Sequence, residues 1–284
     1  MQEQDFSQTA FLVAGYRARA TGFSDSICND PWAGDLAGDF GEALCRQWDL
    51  HVPDAGRFLA LRTRYIDDVV SAAIGRGIRQ VVILGAGLDT RAARLGRDGV
   101  RFFEVDRPAS QVAKQRGIAN LPGYPRGAAT YVACDFERDD FVSELERAGL
   151  DRSAPTLFVW EGVVYYLNES AARETLQKIA SCFSPDSCVV FDYFDIEHNK
   201  RLVNDELRAD LEAMQDLHDE VSEPPSNGLE PGAATALLHD TGFRFLRTVS
   251  FAELAIEHYA SLESRFPFHL MWMTTASVGQ HLTV

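Results

Sequence analysis

The sequence is poor in cysteine. Its five thiols, Cys28, Cys45, Cys134, Cys182 and Cys188, are scattered over 284 residues with no CxxC pair. An odd set of isolated thiols excludes a disulfide framework and a zinc ribbon, and fits a reducing compartment, so the cytoplasm is the expected location. Long apolar runs are missing as well. Nothing reaches the roughly 18 uninterrupted apolar residues that a membrane span needs, and the most apolar stretch, Leu157 to Leu167, is broken by Glu161. The opening MQEQDFSQ is acidic where a secretory leader would be basic. Positive charge is also scarce: 27 Lys and Arg stand against 42 Asp and Glu, a net charge of −15. Such a surface repels phosphate backbones and anionic lipid, which disfavours nucleic-acid and membrane partners and leaves a small molecule as the expected one. Internal repeats, heptads and low-complexity tracts are absent. What remains is ordinary for a folded, water-soluble chain, with 46% hydrophobic and 24% charged residues. The length suits one large domain carrying an insertion.

Residues 1–76 read as helical, interrupted at Asp30-Pro31 and Val52-Pro53. From Arg79 the pattern changes to short apolar runs separated by amphipathic stretches. Strands are expected at 79–84, 101–105, 130–133, 156–160 and 187–193, with helices near 88–96, 108–118, 138–148 and 169–182. This β-α alternation predicts an α/β fold, a doubly wound, mostly parallel sheet with helices on both faces and ligands at the carboxyl ends of the strands. The charged segment 195–229 is expected to be a helical insertion covering that end. A helix near 231–240 and two antiparallel strands, 243–250 and 268–277, close the chain. The domain expectation is therefore one domain over 1–284: a helical cap to 76, a core over 77–194, a lid over 195–229 and a C-terminal part from 230.

Four segments carry chemistry. Leu84-Gly85-Ala86-Gly87-Leu88-Asp89-Thr90 follows a strand and opens a helix, so bare backbone can lie against a nucleotide-like ligand. A dinucleotide fingerprint wants a third glycine where Thr90 stands, and Asp89 puts negative charge where a pyrophosphate would sit. A sulfonium cofactor with an α-amino group tolerates both, so S-adenosylmethionine fits better than a nicotinamide dinucleotide. Phe102-Phe-Glu-Val-Asp106 places an acid 21 residues after Gly85, the position of a ribose-binding carboxylate. Cys134-Asp135-Phe136 offers a carboxylate for an adenine amino group and a ring to pack on it, although Asp135 could instead cap the next helix. Glu161 ends a nearly all-apolar strand and therefore needs a cationic partner, either a ligand group or an arginine.

In this order the segments resemble the leucine carboxyl methyltransferase family, and in particular its bacterial branch of polyketide O-methyltransferase-like proteins. The carriers are Leu61-Arg62-Thr63-Arg64-Tyr65-Ile66-Asp67-Asp68, Leu84 to Arg91 with Arg94-Leu95, Phe103 to Pro108, Cys134 to Phe136 and Glu161 to Leu167. Arg17-Ala18 and Asp30-Pro31-Trp32-Ala33 lie upstream. The resemblance spans roughly residues 9–195. It implies a seven-stranded, Rossmann-like class I methyltransferase sheet with an N-terminal helical extension and a helical lid. It also implies that S-adenosylmethionine is bound by Arg62 through the methionyl carboxylate, by Gly85, Ala86 and Gly87 through backbone, and by Asp106 at the ribose, with Arg107 among the cofactor-binding residues. Asp135 with Phe136 would take the adenine, and Glu161 the polar head.

No metal is required for methyl transfer from a sulfonium, which depends on holding acceptor and methyl in line in a dry site. The acceptor is expected to be a carboxylate, already ionised, or a phenol, which benefits from a base. Tyr16, Tyr165, Tyr166, His218 and His269 are the candidates for such a base, and Tyr166 and His218 are carried forward as catalytic. Phe266, Phe268 and Trp272 could line either the core or a substrate pocket. The expected activity is O-methylation of a small hydrophobic metabolite. A protein C-terminal carboxyl methyltransferase is the alternative, and a nicotinamide-dependent oxidoreductase ranks below it. A homodimer is compatible with all of this.

Overall fold

Five residues of unbroken apolar or amide character, Gln80–Leu84, form β1, buried along its whole length. Such a run cannot face water on either side and needs neighbours above and below. The computed structural model, which describes residues 7–52, 54–136, 138–221, 223–225, 228–259 and 268–279, supplies them. β1 pairs in parallel with β2 (Arg101–Asp106) and β4 (Thr156–Trp160), so that Val82 lies between Phe103 and Phe158. Beyond β2 lies β3 (Thr130–Ala133), and beyond β4 lies β5 (Cys188–Tyr193), both parallel. The last strands, β6 (Phe245–Ser250) and β7 (Trp272–Ser277), are antiparallel, with β7 inserted between β5 and β6. The order is β3-β2-β1-β4-β5-β7-β6, the mostly parallel seven-stranded sheet expected.

Side-chain alternation splits the sheet's contacts between two cores. Val81, Ile83, Phe102, Leu157, Val159 and Val190 face one side, where they meet α3 (Ala55–Gly75) through Tyr65, Ile66, Val69 and Val70. The same side receives α9 (Asp205–Glu220) and α11 (Phe251–His258). Val82, Leu84, Phe103, Phe158, Val189 and Phe191 face the other side, against α6 (Phe141–Arg147), α7 (Glu169–Cys182) and α10 (Pro231–Asp240). The third helix of the N-terminal segment is thus a layer of the sheet and not merely a cap over it. It follows α1 (Gln8–Thr21) and α2 (Ala33–Trp48), which cross in close contact. A Cβ on Gly41 would lie 2.6 Å from the Phe11 carbonyl oxygen, so the crossing depends on that glycine.

Short helices follow the strands as the alternation requires: α4 (Arg91–Leu95) after β1, and α5 (Pro108–Ile118) after β2 with proline in its first turn. The 195–229 stretch contains α8 (Ile196–Leu202) and α9, each started by an Asp or Asn whose side chain accepts an amide of the first turn. The sequence reading did not anticipate α11, which begins in a capping box formed by Ser250 and Glu253. It also began the last strand early: residues 268–270 are a 3₁₀ turn. Among the described residues no helix is long and apolar enough to cross a membrane.

Candidate active site at the carboxyl ends of the strands

Glycine makes the β1–α4 turn possible. Gly85 and Gly87 have φ of 69° and 44°, a region that side chains disfavour. A Cβ on Gly85 would also lie 2.5 Å from Val163 Cγ2. The Gly87 N–H donates to Asp106 Oδ2 at 2.6 Å, and the Arg107 N–H donates to Asp106 Oδ1 at 2.7 Å. The acid at the end of β2 is thereby held against the turn, while the Arg107 residue itself is exposed. Ala86 is buried in the turn, its N–H donating to the Val105 carbonyl at 3.2 Å. Beside them, the Cys134 N–H donates to the Asp106 carbonyl at 2.8 Å, which brings Asp135 and Phe136 alongside. Both are partly exposed, and the Phe136 ring lies 6.1 Å from that of Phe141. The capping role considered for Asp135 belongs to Asp140, which caps α6.

Of the two partners left open for Glu161, a ligand group or an arginine, the structure shows an arginine: Arg62, on α3, meets Glu161 just past β4. Arg62 Nε donates to Glu161 Oε1 at 2.7 Å, and its Nη1 donates to Asp192 Oδ2 at 3.0 Å. Asp192 Oδ1 in turn accepts the Gly162 N–H at 2.6 Å. A second arginine shares the same carboxylate: Arg91 Nη1 donates to Glu161 Oε2 at 2.5 Å and to Asp89, and its Nε donates to Asp67 at 2.7 Å. Arg94 pairs with Asp67, and Arg17 pairs with Asp30 at 2.9 Å. Asp30 also accepts from Thr90 at 2.7 Å. A chain of alternating charge therefore runs beneath the glycine turn from β5 to α1.

Burial alone would raise Glu161, but Arg91 and Arg62 outweigh it and hold the carboxyl below its usual range. Burial likewise opposes ionisation of Asp89, and Arg91, Lys114 and Arg17 overcome it, taking its pKa down to about 2. Asp89 also accepts the Arg91 N–H at 2.6 Å, so a carboxylate already sits on the first turn of α4. Glu104, deep in β2, goes the other way: burial pushes it up to about 7 against the pull of Lys114.

Next to this charged half lies a neutral one. Tyr166, at the end of the 3₁₀ turn Val164–Tyr166, meets His218 of α9 with its hydroxyl 3.2 Å from Nδ1. Burial pushes His218 down to about 4, opposed by the Glu223 main chain, and pushes the Tyr166 phenol well above its usual value. Trp48 packs edge-on against His218 at 4.8 Å, and Tyr165 stacks between Tyr166 at 4.7 Å and Phe194 at 4.5 Å. The first turn of α1 packs against the glycine turn, where a Cβ on Gly87 would lie 3.1 Å from Ala10 Cβ.

Not every candidate joins this cluster. The Tyr16 hydroxyl donates to Asp49 at 2.9 Å, between α1 and α2. Tyr165 accepts from Arg62 at 3.4 Å, within the charged half. His269 is exposed, Trp272 is half-buried in β7, Phe268 belongs to the 3₁₀ turn before it, and Phe266 lies outside the described residues. Two features were missed. Asp192 stands in a strand as apolar as that of Glu161, and the same burial argument would have found it. The pairing of Arg91 with Glu161 had no signal beyond the motif itself.

The family model for leucine carboxyl methyltransferase matches residues 10–180. A Mycobacterium avium protein, provisionally named an S-adenosyl-L-methionine-dependent methyltransferase, is 32% identical over 289 aligned residues, covering 95% of this chain and 82% of its own. A Mycobacterium bovis protein of the same provisional name is 37% identical over 63% of this chain, which spans only 55% of that relative. Among solved structures, a provisionally named methyltransferase from Thermobifida fusca superposes with a TM-score of 0.60 at 16% identity, covering 94% of each chain, a likeness of fold.

Proposed function

Because the chain belongs to the leucine carboxyl methyltransferase family, we propose that it is an S-adenosylmethionine-dependent O-methyltransferase acting on a small hydrophobic metabolite, with polyketide-type compounds among the candidates. The observation that carries this reading is the convergence of the glycine turn, Asp106, Arg62 and Glu161 at the carboxyl ends of three adjacent strands. When bound there, S-adenosylmethionine supplies a methyl group on a sulfonium. The donor set fits such a ligand, because Arg62 and Glu161, paired with each other, set one cation and one carboxylate side by side as a carboxylate and an α-ammonium need, and the acids at the rim of the turn suit a cation. It does not fit a pyrophosphate, whose place at the first turn of α4 is taken by Asp89, and this disfavours the nicotinamide alternative.

In this reading Arg62 takes the methionyl carboxylate, Glu161 the α-ammonium, and the Gly85, Ala86 and Gly87 backbone lies alongside. Asp106 with Arg107 serves the ribose and Asp135 with Phe136 the adenine. Tyr166 and His218 face the methyl acceptor. That side holds a neutral imidazole among aromatic rings, an environment that favours an uncharged hydroxyl over a carboxylate anion. A phenol, with an ordinary pKa near 10, keeps its proton until attack, and His218 is placed to receive it. The family's description favours a second acceptor, the carboxylate, as in protein C-terminal carboxyl methylation.

Calorimetric titration of the folded protein with S-adenosylhomocysteine tests the cofactor, and absence of binding at millimolar ligand refutes the reading. Mass spectrometry of phenolic, carboxylic and protein acceptors incubated with labelled S-adenosylmethionine then separates the acceptor classes.

A further inference from the structure

Lysine is scarce in this chain, which has three: Lys114, Lys178 and Lys200. The last two are partly exposed and pair with surface acids, whereas Lys114, on α5, is 1% exposed. A lysine so deep needs partners for its ammonium. It donates to the Glu104 carboxylate of β2 and, at 2.5 Å, to the Asp89 main-chain carbonyl. Glu104 stands two residues before Asp106 and so on the same face of β2, one layer beneath the acid that holds the glycine turn. As a device for stability the pair is poor. Glu104 Oε1 finds no hydrogen-bond partner among the described residues, and apolar side chains of similar volume often serve as well in place of a buried ion pair.

The pair acts on Asp89, and Asp89 joins both sides of the cofactor site. Its N–H donates to the Ala86 carbonyl at 2.8 Å and closes the glycine turn. Its carboxylate accepts the Arg91 N–H at 2.6 Å and pairs with the Arg91 guanidinium, which in turn holds Glu161. The carbonyl one residue earlier, that of Leu88, accepts from Arg17 Nη2 at 2.6 Å. Two buried cations, one from α1 and one from α5, thus hold successive carbonyls. A trans peptide carries its N–H opposite its carbonyl, so each bond fixes the plane of a whole peptide unit: Arg17 that of Leu88–Asp89, Lys114 that of Asp89–Thr90.

We propose that Lys114, seated by Glu104, is a positioning residue for cofactor binding. Its N–H bond to the Asp89 carbonyl holds the glycine turn and the Arg91–Glu161 pair in the arrangement that receives the methionyl end of S-adenosylmethionine. The proposal rests on the methyl-transfer reading for its ligand and on the hydrogen bonds of the turn for its geometry.

Calorimetric titration with S-adenosylhomocysteine separates positioning from support of the fold. Loss of folded protein lowers the number of sites per chain, whereas a displaced turn keeps the site and weakens it. In the double variant Glu104→Leu with Lys114→Met both charges go together, so no lone buried ion is left. Its affinity should fall about tenfold, the effect of one lost hydrogen bond to a charged group, at unchanged stoichiometry. Glu104→Gln keeps an acceptor for Lys114, whose N–H reaches the Asp89 carbonyl as before, and affinity should stay within about twofold. A further measurement does without the double variant. With Lys178→Arg and Lys200→Arg, on α7 and α8, Lys114 is the one lysine left, and nitrogen NMR of its Nζ without cofactor should show a group protected from exchange with solvent. Wild-type affinity in the folded double variant, a loss in Glu104→Gln as large as in the double variant, or a freely exchanging Lys114 Nζ overturns the proposal. If the wild type fails to bind S-adenosylhomocysteine, the methyl-transfer reading falls, and the NMR result still decides whether the anchor exists.

Discussion

Beneath the glycine turn, Arg62 and Arg91 are buried among Glu161, Asp192, Asp89 and Asp67. Next to them, His218 is buried and Tyr166 partly buried, and neither carries charge at neutral pH, the tyrosine because burial raises its pKa, the histidine because burial lowers it to about 4. The contrast separates two tasks. A buried ion-pair lattice presents the same field at any ordinary pH, which suits a ligand whose charges never change. A neutral pair costs less to keep dry and can take up or give away a proton, which suits a group that must change its state during a reaction.

The largest expected difference between the halves is in stability. Arg62→Ala leaves the Glu161 and Asp192 carboxylates buried without one of their cations, and should cost about 3–5 kcal/mol as well as cofactor affinity. The sequence argument, blind to Asp192, would expect such a variant to lose affinity and keep its fold intact. Tyr166→Phe, on the neutral side, removes one hydroxyl and should cost about 1 kcal/mol. Urea denaturation of the two variants decides, and equal losses would erase the contrast.

The charged half was the more legible in sequence, for a physical reason. Glu161, with Asp106 and Asp135 near it, lies at a strand end, where an apolar run followed by an acid announces the strand, whereas Arg62 and Asp67 come from α3 and Arg91 from α4. Asp106, Asp135 and Glu161 were found that way, and the alternation around them specified the parallel part of the sheet. The helix α11 was written in Ser250 and Glu253, but the strand before it masked the signature. The junction of Glu223 with Ser7, Gln8 and Thr9 has no counterpart in local pattern. It joins residues up to 216 apart through side chains common on any surface, and only the fold brings them together.

Acid should act on the two halves in different windows. His218 has a folded value of about 4 against roughly 6.5 unfolded, so the unfolded chain binds the proton first, and its contribution is full above about 6.5 and is lost as pH falls toward 4. Asp89, at about 2 folded against roughly 3.9 unfolded, holds its contribution until pH falls through the range from about 4 to 2. Glu104 has the opposite sign: raised to about 7, it favours the fold below roughly 4.3 and loses that contribution as pH rises to 7. Between about 4.3 and 6.5 the His218 and Glu104 slopes oppose each other. Glu104→Gln should therefore make stability rise with pH across that window by about 3 kcal/mol, and His218→Gln should make it fall by a similar amount. Urea midpoints measured at half-unit pH intervals test both signs.

A smaller effect probes the turn that joins the halves. Gly85→Ala must place a Cβ against Val163 at a φ of 69°. The substitution should cost about 1–3 kcal/mol and lower the affinity for S-adenosylhomocysteine, because relief of the clash moves Val163 and the turn apart. Normal affinity in the variant would mean that the spacing between the turn and the end of β4 is not what the ligand measures.

The smallest effect is the most discriminating for the neutral half. Ser7 caps α1 by accepting the Ala10 N–H at 3.3 Å, donates to Glu223 and shares a hydrogen bond of 2.9 Å with the Thr9 hydroxyl. Ser7→Ala should cost about 1 kcal/mol, the usual effect of a lost N-cap. The Gln8 N–H and the Thr9 hydroxyl still hold the Glu223 carboxylate in that variant. The start of α1 should therefore stay docked against the end of α9, and affinity for S-adenosylhomocysteine should match the wild type. If Ser7→Ala lowered that affinity, the cap, and not the remaining bonds to Glu223, would be what seats α1 beside the glycine turn.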